Sequence, residues 1–291
     1  MERVLANKQA IITGGSKGLG LEIALHYVAA GADIMICGRD QKSLDVAQAK
    51  LARIAGSGQK IQAVLADVSA PQDAERLFSE TISKLGGCHI LVNNAGIYGP
   101  KGNIESIDWN DWLNTINVNI NGSVLMSRAV LPYFKQNRYG KIIQLSGGGA
   151  TSPLPKLSAY AVSKAAIVRF SETLAEEVRG LGIDVNAIAP GALNTGMLDE
   201  ILMAGPEKVG IEFYEKSLKQ KESGGTPLSR GAELAVFLAS SKSDGITAKL
   251  ISAIWDGWAD WNENIDTLNA TDVYTLRRIT GRDRGLDLGE I

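Results

Sequence analysis

The chain has 291 residues, 45% hydrophobic and 21% charged, with a formal net charge of −2. Such a composition belongs to an ordinary globular protein, with room for one large α/β domain or two small ones and burial of roughly three quarters of the unfolded surface. No basic run points to nucleic acid, and no apolar run reaches the roughly 20 residues that span a bilayer. Met1 to Lys8 lead straight into an apolar strand without a signal-peptide pattern, so no membrane partner and a cytoplasmic location are expected. Cys37 and Cys88 sit beside predicted strands and read as small buried hydrophobes in a reduced compartment. His26 and His89 have no Cys or acidic cluster at metal spacing, and no metal is expected.

Gln9 to Thr13 is a short apolar run ending in glycines, the pattern of a buried strand. Gly18 to Ala30 places Leu19, Ile23, Ala24 and Tyr27 on one helical face. Strand Asp33 to Cys37 follows the helix-ending Gly31, then come a helix from Gln41 to Ile54 and a strand from Ile61 to Leu65. Pro71 opens a helix to Leu85, since helices accept proline in their first turn. Strand Ile90 to Val92 runs into Asn93-Asn94-Ala95-Gly96. One long helix is predicted over Asp108 to Asn137. Strand Lys141 to Leu145 ends at Ser146-Gly147-Gly148-Gly149, and a second long helix spans Ser158 to Gly180. Strand Ile183 to Ile188 ends at Pro190-Gly191; a short helix, Ala232 to Ala239, precedes a last strand, Lys249 to Trp255.

Strands alternating with helices through short connections predict a doubly wound, seven-stranded parallel sheet with helices on both faces. A single domain is expected over 1–255, with the polar, helix-prone segment 195–226 as a lid over the site. Residues 256–291 form a C-terminal extension that docks either on the body or on a neighbouring subunit. Trp255, Trp258 and Trp261 either stack on a sugar ring or anchor this extension, and the anchor is preferred.

Two motifs carry chemistry. Thr13-Gly14-Gly15-Ser16-Lys17-Gly18-Leu19-Gly20 joins the first strand to the first helix. Its glycines allow a tight turn and close approach to a pyrophosphate, and the helix start offers N–H groups and a positive dipole end. Tyr160 and Lys164 lie four apart, one helical turn on one face. An ammonium beside a phenol favours the phenolate, so the pair is expected to lower the Tyr160 pKa and let it exchange a proton with an alcohol or ketone.

The glycine spacing, Asn93-Asn94-Ala95-Gly96, the Tyr160-x3-Lys164 pair and Pro190-Gly191-x3-Thr195 occur in order between about Ala6 and Trp255. In this the chain resembles the short-chain dehydrogenase/reductase family, which has a single-domain Rossmann fold and uses NAD(P). The resemblance implies that Gly14, Ser16, Lys17, Gly18, Leu19 and Gly20 bind the cofactor's phosphates. It implies that Asp67 and Val68 contact adenine, that Asn94, Ala95 and Gly96 line the adenosine side, that Thr195 bonds the nicotinamide amide, and that Pro190 and Gly191 belong to the cofactor site. Asp67 and Thr195 have other uses open to them, as a turn cap and a helix cap. The second strand ends Cys37-Gly38-Arg39 without an acid at Gly38, and Lys17 sits in the glycine loop, which favours NADP(H) with NAD(H) possible. Asp40 complicates this, because it could pair with Arg39.

By the same resemblance Tyr160 is the general acid/base, Lys164 tunes it and bonds the nicotinamide ribose, and Asn119 holds a water linking Lys164 to solvent. Asn119 could instead serve as a helix-interior Asn bonding backbone. A Ser that binds the substrate oxygen belongs at position 147, where this chain has Gly; Ser146 is one residue earlier. On a regular strand Ser146 faces away, whereas a bulge at the glycine run turns it in. Three functions remain open on the sequence: a carbonyl/alcohol oxidoreductase, a cofactor-binding sensor with weak turnover because of Gly147, and a sugar epimerase or dehydratase using the cofactor transiently. Thr151 to Leu157 is expected to wall the substrate cleft, and Phe213, Tyr214 and Leu218 either contact an apolar substrate or pack a helix. The family pairs through its two long helices, which implies a homodimer or homotetramer.

Overall fold

The computed structural model describes residues 3–287 and 289. Seven parallel strands form one sheet: β1 (Gln9–Thr13), β2 (Asp33–Gly38), β3 (Ile61–Leu65), β4 (Ile90–Asn93), β5 (Gly140–Leu145), β6 (Ile183–Ala189) and β7 (Leu250–Ser252). Their spatial order is β3-β2-β1-β4-β5-β6-β7, so the winding reverses between β1 and β4. A crevice at the carboxyl ends of the strands follows from that reversal, and in open α/β sheets it is where ligands bind.

The strands are apolar on both sides because both are covered. Ile12 and Ile143 pack with Ile23 and Tyr27 of α1 (Gly18–Ala29), with Leu44 of α2 (Gln41–Ala52) and with Leu234 of α9 (Leu228–Ala239). The adjacent Ile11 and Ile142 face the other way, toward Leu77 of α3 (Pro71–Leu85), Val130 of α5 (Gly122–Asn137) and Leu174 of α6 (Ser158–Glu177). A slip of β1 by one residue would exchange these sets, and each buried aliphatic side chain is worth about 1.5–3 kcal/mol.

The long helix predicted from Asp108 is broken. It runs as α4 (Trp109–Ile116), a π-helical turn Asn117–Asn121, then α5. A π turn carries one extra residue per turn, which no hydrophobic period announces, and such turns concentrate at functional positions. The segment 195–226 folds into two helices, α7 (Gly196–Val209) and α8 (Ile211–Ser223), with Gly205 at φ 77° and Gly210 at φ 87° breaking the chain between straight pieces. The last strand is shorter than predicted, and α9 starts four residues earlier.

The extension docks on its own chain. Trp258 packs on Phe237 and Trp261 on Tyr274, and the Leu250 N–H donates to the Tyr274 carbonyl at 2.7 Å along the outer edge of β7. Trp255 is 86% exposed and takes no part in this anchoring. At the amino ends of the strands, away from the crevice, the Lys141 ammonium is buried between Asp184 (2.6 Å) and Asp244 (2.7 Å). Both cysteines are buried, which pushes their thiols up to about 12. His26 bonds the Glu22 carbonyl and His89 accepts from the Gln9 N–H. Among the described residues no helix is long and apolar enough to cross a membrane.

Candidate active site

The turn from β1 into α1 needs its glycines. A Cβ at Gly20 would stand 2.3 Å from the Gly14 carbonyl oxygen; one at Gly14, whose φ is +63°, would stand 3.0 Å from the Ala95 Cα. Lys17 precedes α1 in extended backbone, and no side chain caps the first turn. The amides at that helix start therefore keep donor capacity and a positive dipole end for an anion. Asn94 closes the turn from the neighbouring strand, its Nδ2 donating to the Thr13 and Gly14 carbonyls at 2.9 and 3.1 Å. Thr13 Oγ1 accepts from the Asn94 and Ala95 amides, both at 3.0 Å. These residues make a narrow glycine cradle that fits a dinucleotide pyrophosphate.

The rest of the proposed cofactor set lies along the same crevice. The Ser16 Oγ lies 3.4 Å from the Cβ position of Gly38 at the end of β2. Leu19 turns inward and packs beside Gly231 of α9, so only its backbone is left for a ligand. Arg39 is half-exposed, 4.0 Å from Asp67. Asp40 does not pair with Arg39; its carboxylate accepts from the Ser43 N–H at 2.8 Å and caps α2. Asp67 accepts from the Ser69 amide and hydroxyl, and buried Val68 packs against Gly122. Thr195 precedes α7 but makes no side-chain cap; its Cγ2 lies 3.6 Å from the Cβ position of Gly18, against the glycine turn. Pro190 packs against Gly231, and Gly191 (φ +91°) lies under Ile254 and Thr226.

Across the crevice stand Tyr160 and Lys164, both buried on the first turns of α6. Lys164 Nζ donates to the Leu145 carbonyl at 2.7 Å and lies 5.5 Å from the centre of the Tyr160 ring. A Cβ at Gly96 would lie 3.6 Å from that Nζ and 3.3 Å from Asn119 Oδ1, so the end of β4 meets the pair. Asn119 sits in the π turn. Its Oδ1 accepts from the Ile97 N–H at 2.8 Å, and its Nδ2 donates to the Ile97 carbonyl and to Ser163 Oγ, both at 2.9 Å. The Asn119 side chain is thus spent on backbone and on Ser163, whose hydroxyl donates to the Tyr160 carbonyl at 2.7 Å.

Ser146 and Gly147 resolve the awkward strand end geometrically. The β5–β6 ladder stays regular through Leu145, and the Ser146 N–H still donates to the Ile188 carbonyl at 2.8 Å. Position 147 faces Tyr160, for a Cβ there would lie 2.5 Å from the phenol oxygen. By strand alternation Ser146 faces elsewhere. Its hydroxyl is buried and without a hydrogen-bond partner, and no bond joins it to Tyr160 or Lys164.

The pKa directions differ from the sequence expectation. Burial, reinforced by the neighbouring Tyr98, raises the Tyr160 phenol above its ordinary value, and burial brings the Lys164 amine down to about 8. The ammonium bonds a carbonyl rather than the phenol oxygen, so desolvation outweighs its pull. Sequence reasoning gave no role to Tyr98, whose ring centre is 4.5 Å from that of Tyr160, nor to Ser163. Their signals were present: Tyr98 follows Gly96 by two residues, and Ser163 lies within the Tyr160–Lys164 turn.

The doubly wound sheet carries a glycine turn after β1 and a buried Tyr–Lys pair at the start of α6. The chain belongs to the short-chain dehydrogenase family, whose model matches residues 8–204. It is 31% identical over 247 residues to dehydrogenase/reductase SDR family member 4 of Sus scrofa, covering 85% of this chain and 86% of that one. It is 33% identical over 264 residues to a D-beta-hydroxybutyrate dehydrogenase of Cupriavidus necator, covering 89% and 99%. The structure of a levodione reductase superposes with a TM-score of 0.78 at 25% identity, covering 88% of this chain and 98% of that one. The protein is accordingly an NAD(P)-dependent oxidoreductase acting on small molecules.

Proposed function

We propose that the protein interconverts a carbonyl compound and a secondary alcohol, prefers NADP(H), and uses Tyr160 as general acid/base. One observation carries this reading. The ends of β4 and β5 bring Gly96 beside Lys164 Nζ and Asn119, and Gly147 against the Tyr160 hydroxyl, across the crevice from the glycine turn. A bound nicotinamide supplies or accepts the hydride. The glycine turn, Asn94 and Thr195 orient it. The Tyr160 hydroxyl gives its proton to the carbonyl oxygen during reduction and takes one from the alcohol during oxidation. Lys164, whose lowered pKa lets it gain and lose a proton near pH 8, replaces that proton. Asn119 acts through Ile97 and Ser163 to hold the loop after β4 and the first turn of α6. Ser146 is given no part in this scheme, since its buried hydroxyl makes no hydrogen bond to Tyr160 or Lys164.

The NADP(H) preference rests on Arg39, which is half-exposed at the end of β2, and on Asp40, which is occupied as a helix cap. The 4.0 Å pair with Asp67 is solvent-exposed, and such pairs are worth little, so Arg39 can turn to a 2′-phosphate. Titration with NADPH and NADH tests this: tighter NADPH binding is expected, and Arg39→Ala should remove most of the difference. Equal affinities in the wild-type chain would refute the preference. Product formation without net cofactor consumption would point to an epimerase instead.

A further inference from the structure

The side chains clustered with Tyr160 come from four separate parts of the chain and are aliphatic or aromatic. Tyr98, from the loop after β4, lies against the Tyr160 ring at 4.5 Å with the planes tilted by 57°. Leu154 approaches from the segment before α6. Met197 and Ile201 of α7 and Phe213 and Tyr214 of α8 close the same cluster. Two of the lysines nearby are committed elsewhere. Lys101 Nζ donates to the Gly99 carbonyl at 3.1 Å and pairs with Glu200 at 3.3 Å; Lys156 Nζ donates to the Glu207 carbonyl at 2.7 Å. Lys164 Nζ, 5.5 Å from the centre of the Tyr160 ring, is bonded to the Leu145 carbonyl. Lys101, Glu200 and Lys208 stand farther out, with Met203, around an open cleft of about 390 Å³ at the rim.

A carboxylate carried to Tyr160 would be stripped of water against apolar walls, the nearest amine, Lys164, being already bonded to a carbonyl, at a cost of several kcal/mol. A ring placed there exchanges the contacts of the lid for its own and is gripped by Tyr98 in the tilted geometry that aromatic pairs favour. The phenol oxygen itself takes the space that a side chain at 147 would fill, so the reacting hydroxyl seats against the end of β5 beside these walls. We propose that the substrate is an uncharged ketone or secondary alcohol bearing an aromatic or alicyclic ring, held between Tyr98 and the inner faces of α7 and α8, rather than a short oxo acid. This rests on the Tyr160 reading above, which places the reacting carbon beside these walls.

The test compares two methyl ketones, 4-phenyl-2-butanone and acetoacetate, with 2-butanone as a small control. Steady-state rates with the preferred cofactor are joined to calorimetric binding of 4-phenyl-2-butanol to the protein loaded with oxidised cofactor. At least a hundredfold higher kcat/KM is expected for the phenyl ketone than for acetoacetate. Tyr98→Ala should raise the KM for the phenyl ketone about tenfold more than that for 2-butanone, while Tyr98→Phe stays close to wild type throughout. Loss of rate on all three ketones alike in Tyr98→Ala would mark a merely structural role and overturn the proposal. So would an acetoacetate kcat/KM equal to or above that of the phenyl ketone, with the Tyr160 chemistry left standing. Phenyl alcohol binding that Tyr98→Ala weakens, without turnover of any ketone, supports the pocket and removes the chemistry. No binding and no turnover of the phenyl compounds overturns the pocket.

Discussion

Gly147 and Tyr160 compete for one space: a Cβ at 147 would stand 2.5 Å from the Tyr160 hydroxyl oxygen, closer than any real Cβ contact. The glycine lets the phenol seat against the end of β5. Adding one methyl must therefore move the acid/base group or the strand end. Gly147→Ala is expected to lower kcat about tenfold or more, since an ångström of misplacement can cost a hundredfold. Cofactor affinity should not change. An unaltered kcat would mean that Tyr160 works from another position than the one described.

Lys164 gives a pH dependence of stability with a definite sign. Burial lowers its pKa from 10.5 to about 8. Between those values the unfolded chain holds the proton and the folded protein has released it, so stability rises with pH across that window. The full difference corresponds to roughly 3 kcal/mol. Lys164→Met removes the amine, and denaturant midpoints measured from pH 7.5 to 10.5 should then climb less steeply. Parallel curves for the two proteins would contradict the burial argument.

At the far end of the sheet, Lys141 offers a test that leaves the site alone. Its ammonium is almost fully buried between Asp184 and Asp244, and burial raises the Asp184 carboxyl. Breaking a buried pair from one side costs about 3–5 kcal/mol because the other charge is left uncompensated. Lys141→Met should lower the urea midpoint accordingly, and the double change Lys141→Met with Asp184→Asn should recover part of the loss. A double variant no more stable than the single one would show that the pair itself matters little.

The strands were legible because both faces are covered, which writes each as an apolar run between glycines, as in Gln9–Thr13. The glycine turn and the Tyr160–Lys164 spacing are local patterns and were readable for the same reason. What escaped was non-local. The π turn at Asn119 depends on backbone register, which periodicity does not record. Asp40 was ambiguous until the start of α2 claimed it as a cap. The direction of the Tyr160 shift comes from burial, to which Tyr98, 62 positions earlier, adds; proximity in sequence to Lys164 suggested the opposite sign. Trp255, read together with Trp258 and Trp261, parts from them because only the latter two find partners in Phe237 and Tyr274.

The strongest single test is Tyr160→Phe, followed by single-turnover loss of NADPH absorbance at saturating 4-phenyl-2-butanone. The phenylalanine keeps the ring packed on Tyr98 and removes only the hydroxyl. Hydride transfer should slow by about a hundredfold to ten-thousandfold with NADPH affinity unchanged. A rate within a factor of two of wild type would mean that the proton comes from another group.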